Sequence, residues 1–204
     1  DPNANNGVTS LAVQRDGKIL LAGFFTTVQP PGDESASNRS RLARLNVDGT
    51  LDSEFYPRAD GNVSAVVVQP DGTIVIGGTF TSVWGRGASS VNRSYVARFN
   101  PDGSLDSGFA PSVNGAVSTV ATQADGKIVI GGLFTRAIPQ GATTPILRNH
   151  LARLNPDGSL DSSFELEAGG RPLVSVTQAD GKIVIGGSFT SVGSASRNYV
   201  ASLN

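Results

Sequence analysis

Short apolar runs broken by polar turns recur along this chain at a fixed interval. Ile74-Val75-Ile76 leads into Gly77-Gly78, and Ile128-Val129-Ile130 and Ile183-Val184-Ile185 lead into glycine pairs in the same way. The first copy, Ile19-Leu20-Leu21, ends on Ala22-Gly23. A strand with one face in water alternates apolar and polar residues, whereas a strand covered on both faces need not. These runs therefore predict strands buried on both sides. No stretch places apolar residues at helical spacing, and glycine or proline interrupts too often for long helices.

The turns set the period. Asp-Gly pairs at 16–17, 71–72, 125–126 and 180–181 are 55, 54 and 55 residues apart. Each opens a block that continues through the small pair to Phe-Thr, at 25–26, 80–81, 134–135 and 189–190. Next come Leu-Ala-Arg-Leu-Asn at 42–46 and 151–155, Val-Ala-Arg-Phe-Asn at 96–100 and Val-Ala-Ser-Leu-Asn at 200–204. A second Asp-Gly, at 48–49, 102–103 and 157–158, leads into Leu-Asp-x-x-Phe at 51–55, 105–109 and 160–164. Within Asn-Pro-Asp-Gly, at 100–103 and 155–158, the glycine takes the left-handed position after a type I hairpin turn. Each unit reads as four strands. In the first copy these are a (8–14), b (from Lys18 through the small pair), c (41–46) and d (50–55).

Four such units predict an all-β fold, a β-propeller-type repeat with four-stranded blades of about 54 residues. The units are 1–55, 56–109, 110–164 and 165–204. The fourth ends without a second Asp-Gly or a Leu-Asp-x-x-Phe segment, so it is expected to lack its outer strand. Its strand a also departs, with Pro172 and Ser175 standing where the first copy has Val8 and Leu11. The repeat leaves two arrangements open: a small closed ring, or part of a larger propeller or repeat assembly. An unpaired edge on the fourth copy is expected to recruit an outer strand from elsewhere.

The string Gln-Ala-Asp-Gly-Lys-Ile-Val-Ile-Gly-Gly-x-Phe-Thr, followed by Ala-Arg-Leu-Asn-Pro-Asp-Gly-Ser-Leu-Asp-x-x-Phe, resembles the bacterial delta-60 repeat family across all 204 residues. A weaker likeness is to kelch blades, which also close their second strand with two glycines. The first resemblance implies propeller blades of extracellular or surface proteins with no common activity. Neither family supplies catalytic residues to place on this chain.

Composition narrows the chemistry. Formal net charge is −1, which argues against a nucleic-acid groove or an anionic membrane surface. No apolar run reaches the ~18 residues of a membrane span, and no charged-then-apolar leader opens the chain. The chain holds no cysteine, which excludes disulfides and thiolate sites, and no methionine, which suggests a processed chain or an excerpt of a longer one. His150, the one histidine, stands at the place of Tyr95 and Tyr199 and is expected to pack rather than catalyse. Asp102-Gly-Ser104-Leu-Asp106 alternates oxygen-bearing side chains but lacks EF-hand spacing, so a turn accounts for it without calcium. No metal, cofactor or catalytic residue is assigned.

Variable loops on a rigid scaffold are where binding concentrates. Between the recurring Thr and the recurring Arg, the b–c loops hold 12, 11, 12 and 6 residues and differ most in sequence. Trp84 and Arg86 in the second of them are the candidate binding residues, Trp and Arg being favoured anchors. The recurring Arg39, Arg93, Arg148 and Arg197, with Asp52, Asp106 and Asp161, are read as structural. They are expected to make charge-assisted hydrogen bonds that fix loops or join blades. The expected function is thus a non-catalytic extracellular module of a surface protein or fibre, whose partners are other copies or adjacent repeats. The alternative is a propeller that binds a protein or glycan through its b–c and d–a loops.

Overall fold

The computed structural model describes residues 2–203, and expectations that reach Asp1 or Asn204 lie, at those residues, outside the described ones. Four three-stranded antiparallel sheets follow one another along the chain, each with its strands in the order a-b-c. Blade 1 is Val8–Val13, Ile19–Gly23 and Leu42–Leu45. Blade 2 is Val63–Val68, Ile74–Gly78 and Val96–Phe99. Blade 3 is Val117–Thr122, Ile128–Gly132 and Leu151–Leu154. Blade 4 is Arg171–Thr177, Ile183–Ser188 and Val200–Leu203. Strand b lies between its two partners, and in blades 2 and 3 every residue of it is buried. That position is why b reads as an unbroken apolar run. The a–b turns are as expected: the Gln14 amide donates to the Lys18 carbonyl at 2.8 Å, and Gly17 has φ 82°.

The fourth position of each blade is shorter than the sequence suggests. The backbone of segment d pairs with strand c only at the single bridges Leu45↔Leu51, Phe99↔Leu105 and Leu154↔Leu160. The aspartate that follows turns the chain away. Asp52 Oδ1 accepts the Glu54 amide at 3.1 Å, and the Phe55 amide donates to the Asp52 carbonyl at 3.3 Å. Phe55 then leaves its own sheet and is buried in a cluster that holds Ala97 and Phe99 of blade 2 together with Leu20 and Leu42 of blade 1. Phe109 and Phe164 enter blades 3 and 4 in the same way. A segment d therefore adds one bridge to its blade rather than a full strand.

The long b–c loops are hairpins. Thr27–Gln29 pairs with Ser37–Asn38 and with Asn3–Ala4; equivalent small sheets sit beside blades 2 and 3, and a two-stranded one beside blade 4. Side chains pin them, as where Asn5 Oδ1 accepts the amides of Thr26 and Thr27 at 2.8 and 3.1 Å. Strand c then opens on a strained residue in every blade: Arg41, Tyr95, His150 and Tyr199 have φ between 65° and 71°. Each donates its amide to the carbonyl of the recurring Phe at 2.9 Å. Strain that recurs in four equivalent places belongs to the architecture.

Blades stack through strand a, which lies beside strand a of the next blade. The arc is open. Leu11 on blade 1 and Val174 on blade 4, which a closed four-blade ring would bury, are 63% and 65% exposed.

The second glycine of each pair faces a bulge in strand a, between Val63 and Ala65 in blade 2. A Cβ on Gly78 would collide with the Asn62 carbonyl oxygen, and Gly23, Gly132 and Gly187 meet the same obstruction. Close approach, not positive φ, requires glycine there. Gly78→Ala is expected to lower stability in urea by about 1–3 kcal/mol, the usual cost of overpacking. Unchanged stability would contradict this reading.

Candidate functional site

The recurring charges divide into two sets with different tasks. Asp52 Oδ2 accepts Arg44 Nε at 2.9 Å and Lys18 Nζ at 2.7 Å; Asp161 holds Arg153 and Lys127 at 2.8 and 3.0 Å. In blade 2 Thr73 takes the lysine's place, and Asp106 pairs with Arg98 at 2.7 Å. Burial acts to raise the Asp52 and Asp161 carboxyls, but hydrogen bonds and neighbouring charge outweigh it. Lys18, Arg44 and the Glu54 amide act on the first, and Ser163, Lys127 and Arg153 on the second. Both stay below the ordinary carboxylate range.

The same arginines cross to the next blade. Arg44 lies 4.2 Å over the Phe55 ring and donates Nη1 to the Pro101 carbonyl in blade 2 at 2.6 Å. Arg98 lies over Phe109 at 4.3 Å and donates to Pro156 of blade 3 at 2.7 Å. Arg39, Arg93, Arg148 and Arg197 stay within their loops, each donating Nη1 to the carbonyl of the preceding residue at 2.8–3.0 Å. The first two also reach the Asp52 and Ser107 carbonyls at 3.5 Å. Nε of Arg39, Arg93 and Arg148 is buried without a hydrogen-bond partner. Burial pulls the Arg39 and Arg93 guanidinium groups below their ordinary value, against the opposing charge of Asp52 and Asp106.

Trp84 and Arg86 do not share a site. Trp84 ends the strand Ser82–Trp84, half-buried, with the Arg58 guanidinium 5.4 Å over its ring. Arg86 points elsewhere and pairs with Glu54. What Trp84 does join is a cleft of about 230 Å³ with Ser40, Arg41, Arg58 and Asp60. Asp60 is spent on the hairpin: its oxygens accept the Thr81 and Ser82 amides and the Thr81 hydroxyl at 2.7–3.0 Å. The cleft thus offers an indole face and cationic edges.

Two blades further on, the equivalent cleft, about 270 Å³, is lined by Asn149, His150, Glu167 and Ser191. His150 Nδ1 lies 2.9 Å from the Gly132 carbonyl, a packing role. Arg58 was not singled out from the sequence. It stands where the other copies have Asn3, Ser112 and Glu167, the first residues of the equivalent bridging segments, so departure from the repeat was the available signal. On the opposite face, shallow grooves run between the Asp-Gly turns, one of about 550 Å³ beside Asp125 and Asp180. Asp102 Oδ1 is occupied by the Ser104 amide and hydroxyl at 2.9 and 2.7 Å, as the turn reading requires. Among the described residues no three His, Cys, Asp or Glu side chains gather as a metal site.

A family model described as "Domain of unknown function (DUF5122) beta-propeller" matches residues 14–55, 69–109, 123–164 and 178–204. No curated protein matches the chain in sequence. Among solved structures, a streptogramin B lyase is 14% identical with a TM-score of 0.53, covering 99% of this chain and 58% of that one. A protein of unknown function from Bacteroides caccae is 13% identical with a TM-score of 0.49, covering 97% of this chain and 60% of its own. The chain thus spans about three fifths of the length of these structures. At 14% identity the likeness to the lyase is one of fold alone.

Trp84, the sole tryptophan, reports on its own cleft. Arg58→Ala is expected to raise acrylamide quenching of its fluorescence and to cost about 0.5–1 kcal/mol, the worth of an exposed cation–π contact. Unchanged quenching would mean that Arg58 does not cover the ring.

Proposed function

The chain belongs to the DUF5122 β-propeller family, and on that premise we propose that it is a non-catalytic structural module of a repetitive protein outside the cell. One observation carries the reading: the charges repeated from copy to copy are consumed inside the scaffold. Arg44 and Arg98 are each bound to an aspartate of their own blade and a carbonyl of the next, and Arg153 to Asp161. Residues repeated in three of the four units, two of which join neighbouring units, serve the repeat. The extracellular setting comes from the likeness of the repeat string to delta-60 repeats.

Immunogold labelling of intact, unpermeabilised producing cells, with antibody raised to the chain, tests this. The expected result is dense, regular label on surface material. Label that appears only after permeabilisation would contradict the reading.

The Trp84 cleft favours a second reading, the binding of a protein or glycan. Trp84 and Arg58 are set beside each other at one place and are not repeated in the other copies. Protein and glycan arrays probed with the chain and with Trp84→Ala test it. A ligand of this cleft is expected to lose about tenfold or more in affinity, as loss of an anchoring tryptophan does. Array signals unaffected by the substitution would place recognition elsewhere.

A further inference from the structure

We propose that the Trp84 cleft binds one acidic sugar unit of a glycan, its carboxylate or sulfate held by the Arg58 and Arg41 guanidinium groups. The inference rests on the binding reading of this cleft and deepens it by naming the chemistry of the ligand.

The cleft forms where strand c of blade 1 begins beside the hairpin of blade 2. Strand pairing fixes the placement. Trp84 lies opposite Arg58 in register, and the Ala59 amide donates to the Ser40 carbonyl at 3.4 Å. Ser40, Arg41, Arg58, Asp60 and Trp84 thus share one opening. Arg58 is exposed, and Ser40, Arg41 and Trp84 are half-buried.

What the two cations lack is an anion. Arg44, Arg86, Arg98 and Arg153 each pair with a carboxylate, but among the described residues neither Arg41 nor Arg58 is in an ion pair. Arg41 donates Nη1 to the Phe24 carbonyl. The Arg58 side chain donates to none of the described residues, and its guanidinium lies over the Trp84 ring instead. Asp60, the one acid at the opening, is engaged by Thr81 and Ser82. The opening therefore carries two positive charges against one negative. A guanidinium stacked on an aromatic ring keeps the N–H fork that matches an oxyanion. Stacking also holds the side chain in place, which lowers the entropy lost on binding.

The other copies show that this chemistry is added to the common frame. Between blades 2 and 3 the places of Arg41, Arg58 and Trp84 are held by Tyr95, Ser112 and Ile138. Between blades 3 and 4 they are held by His150, Glu167 and Gly193. There Glu167 accepts the Asn149 side-chain amide at 2.9 Å, so that cleft closes on itself. Ser40 and Arg58 stand in those two places in the Trp84 cleft and are not bonded to each other.

The remaining groups favour a sugar. The carbon-bound hydrogens on one face of a pyranose suit the negative face of an indole, and Trp84 stays partly exposed beside Arg58. The Ser40 hydroxyl can donate to or accept from a sugar hydroxyl. A volume of about 230 Å³ is below that of sites for drug-sized ligands and suits a single ring. Two cations fall short of the basic stripe that follows a nucleic-acid backbone. An acidic peptide side chain satisfies the arginines but gives the indole only a short methylene stem.

Titration calorimetry on the chain tests this with five probes: an oligogalacturonate and its methyl ester, a sulfated galactan oligosaccharide and its desulfated form, and an oligoglutamate peptide. At least one acidic glycan is expected to bind, with its neutral counterpart about tenfold weaker or more, and the two acidic arms tell carboxylate from sulfate. Arg58→Gln, its fold checked by circular dichroism, is expected to weaken that binding about tenfold or more, as loss of one partner of a charge pair does. Neutral forms that bind equally, binding that Arg58→Gln leaves unchanged, oligoglutamate bound in place of both glycans, or no glycan bound at millimolar concentration each overturn the proposal. In any of these cases the binding reading survives if the arrays still yield a ligand sensitive to Trp84→Ala, and falls with the proposal if they yield none.

Discussion

A buried guanidinium is tolerable only when its charge and its donors are met, and that constraint organises this repeat. Arg44 is almost fully buried, with Nε on Asp52, its plane over Phe55 and Nη1 on the Pro101 carbonyl of the next blade. Meeting all three fixes three parts of the structure at once. Segment d has to leave the sheet after one bridge so that Asp52 can turn back and Phe55 can slide beneath the guanidinium. The c–d turn of the following blade has to present its proline carbonyl at the right height. The Asp-Gly hairpins, with glycine at φ 84° and 87° in the first two c–d turns, deliver that carbonyl. Charge-assisted bonds of this kind are stronger than neutral ones, and shielding from water strengthens them further.

Much of this was legible in the sequence because it repeats. The apolar runs of strand b, the Asp-Gly turns and the small pairs each have a local physical cause, and each was seen several times over. Segment d was misread because Leu-Asp-x-x-Phe looks like an alternating strand. Its aspartate caps a turn instead, which spacing alone does not reveal. The b–c hairpins were read as loops because their sequences diverge, and their pinning residues, Asn5, Asp60 and Asn114, are not one residue type. Of the candidate site, Trp84 was visible as the sole tryptophan. Its partner was not Arg86, two residues further along the chain, but Arg58, which the fold brings in from a segment twenty-six residues away.

The seam charges are consumed, and the strained residues that open strand c recur in all four blades. Two features remain outside that pattern: an Arg-Trp cleft beside one hairpin, and apolar faces at the two ends of an open arc. The cleft varies in chemistry from blade to blade on a constant frame, as His150 and Glu167 show two blades further on.

The central claim is that the arginine holds neighbouring blades together rather than bracing its own. Hydrogen exchange on Arg98→Ala measures this most directly, because Arg98 belongs to blade 2 and its acceptor, Pro156, to blade 3. The account predicts that the Asn155 and Gly158 amides, which close the blade 3 turn, exchange about tenfold faster, the measure of about 1.4 kcal/mol of lost local stability. Faster exchange confined to blade 2, with the blade 3 turn unchanged, would contradict it.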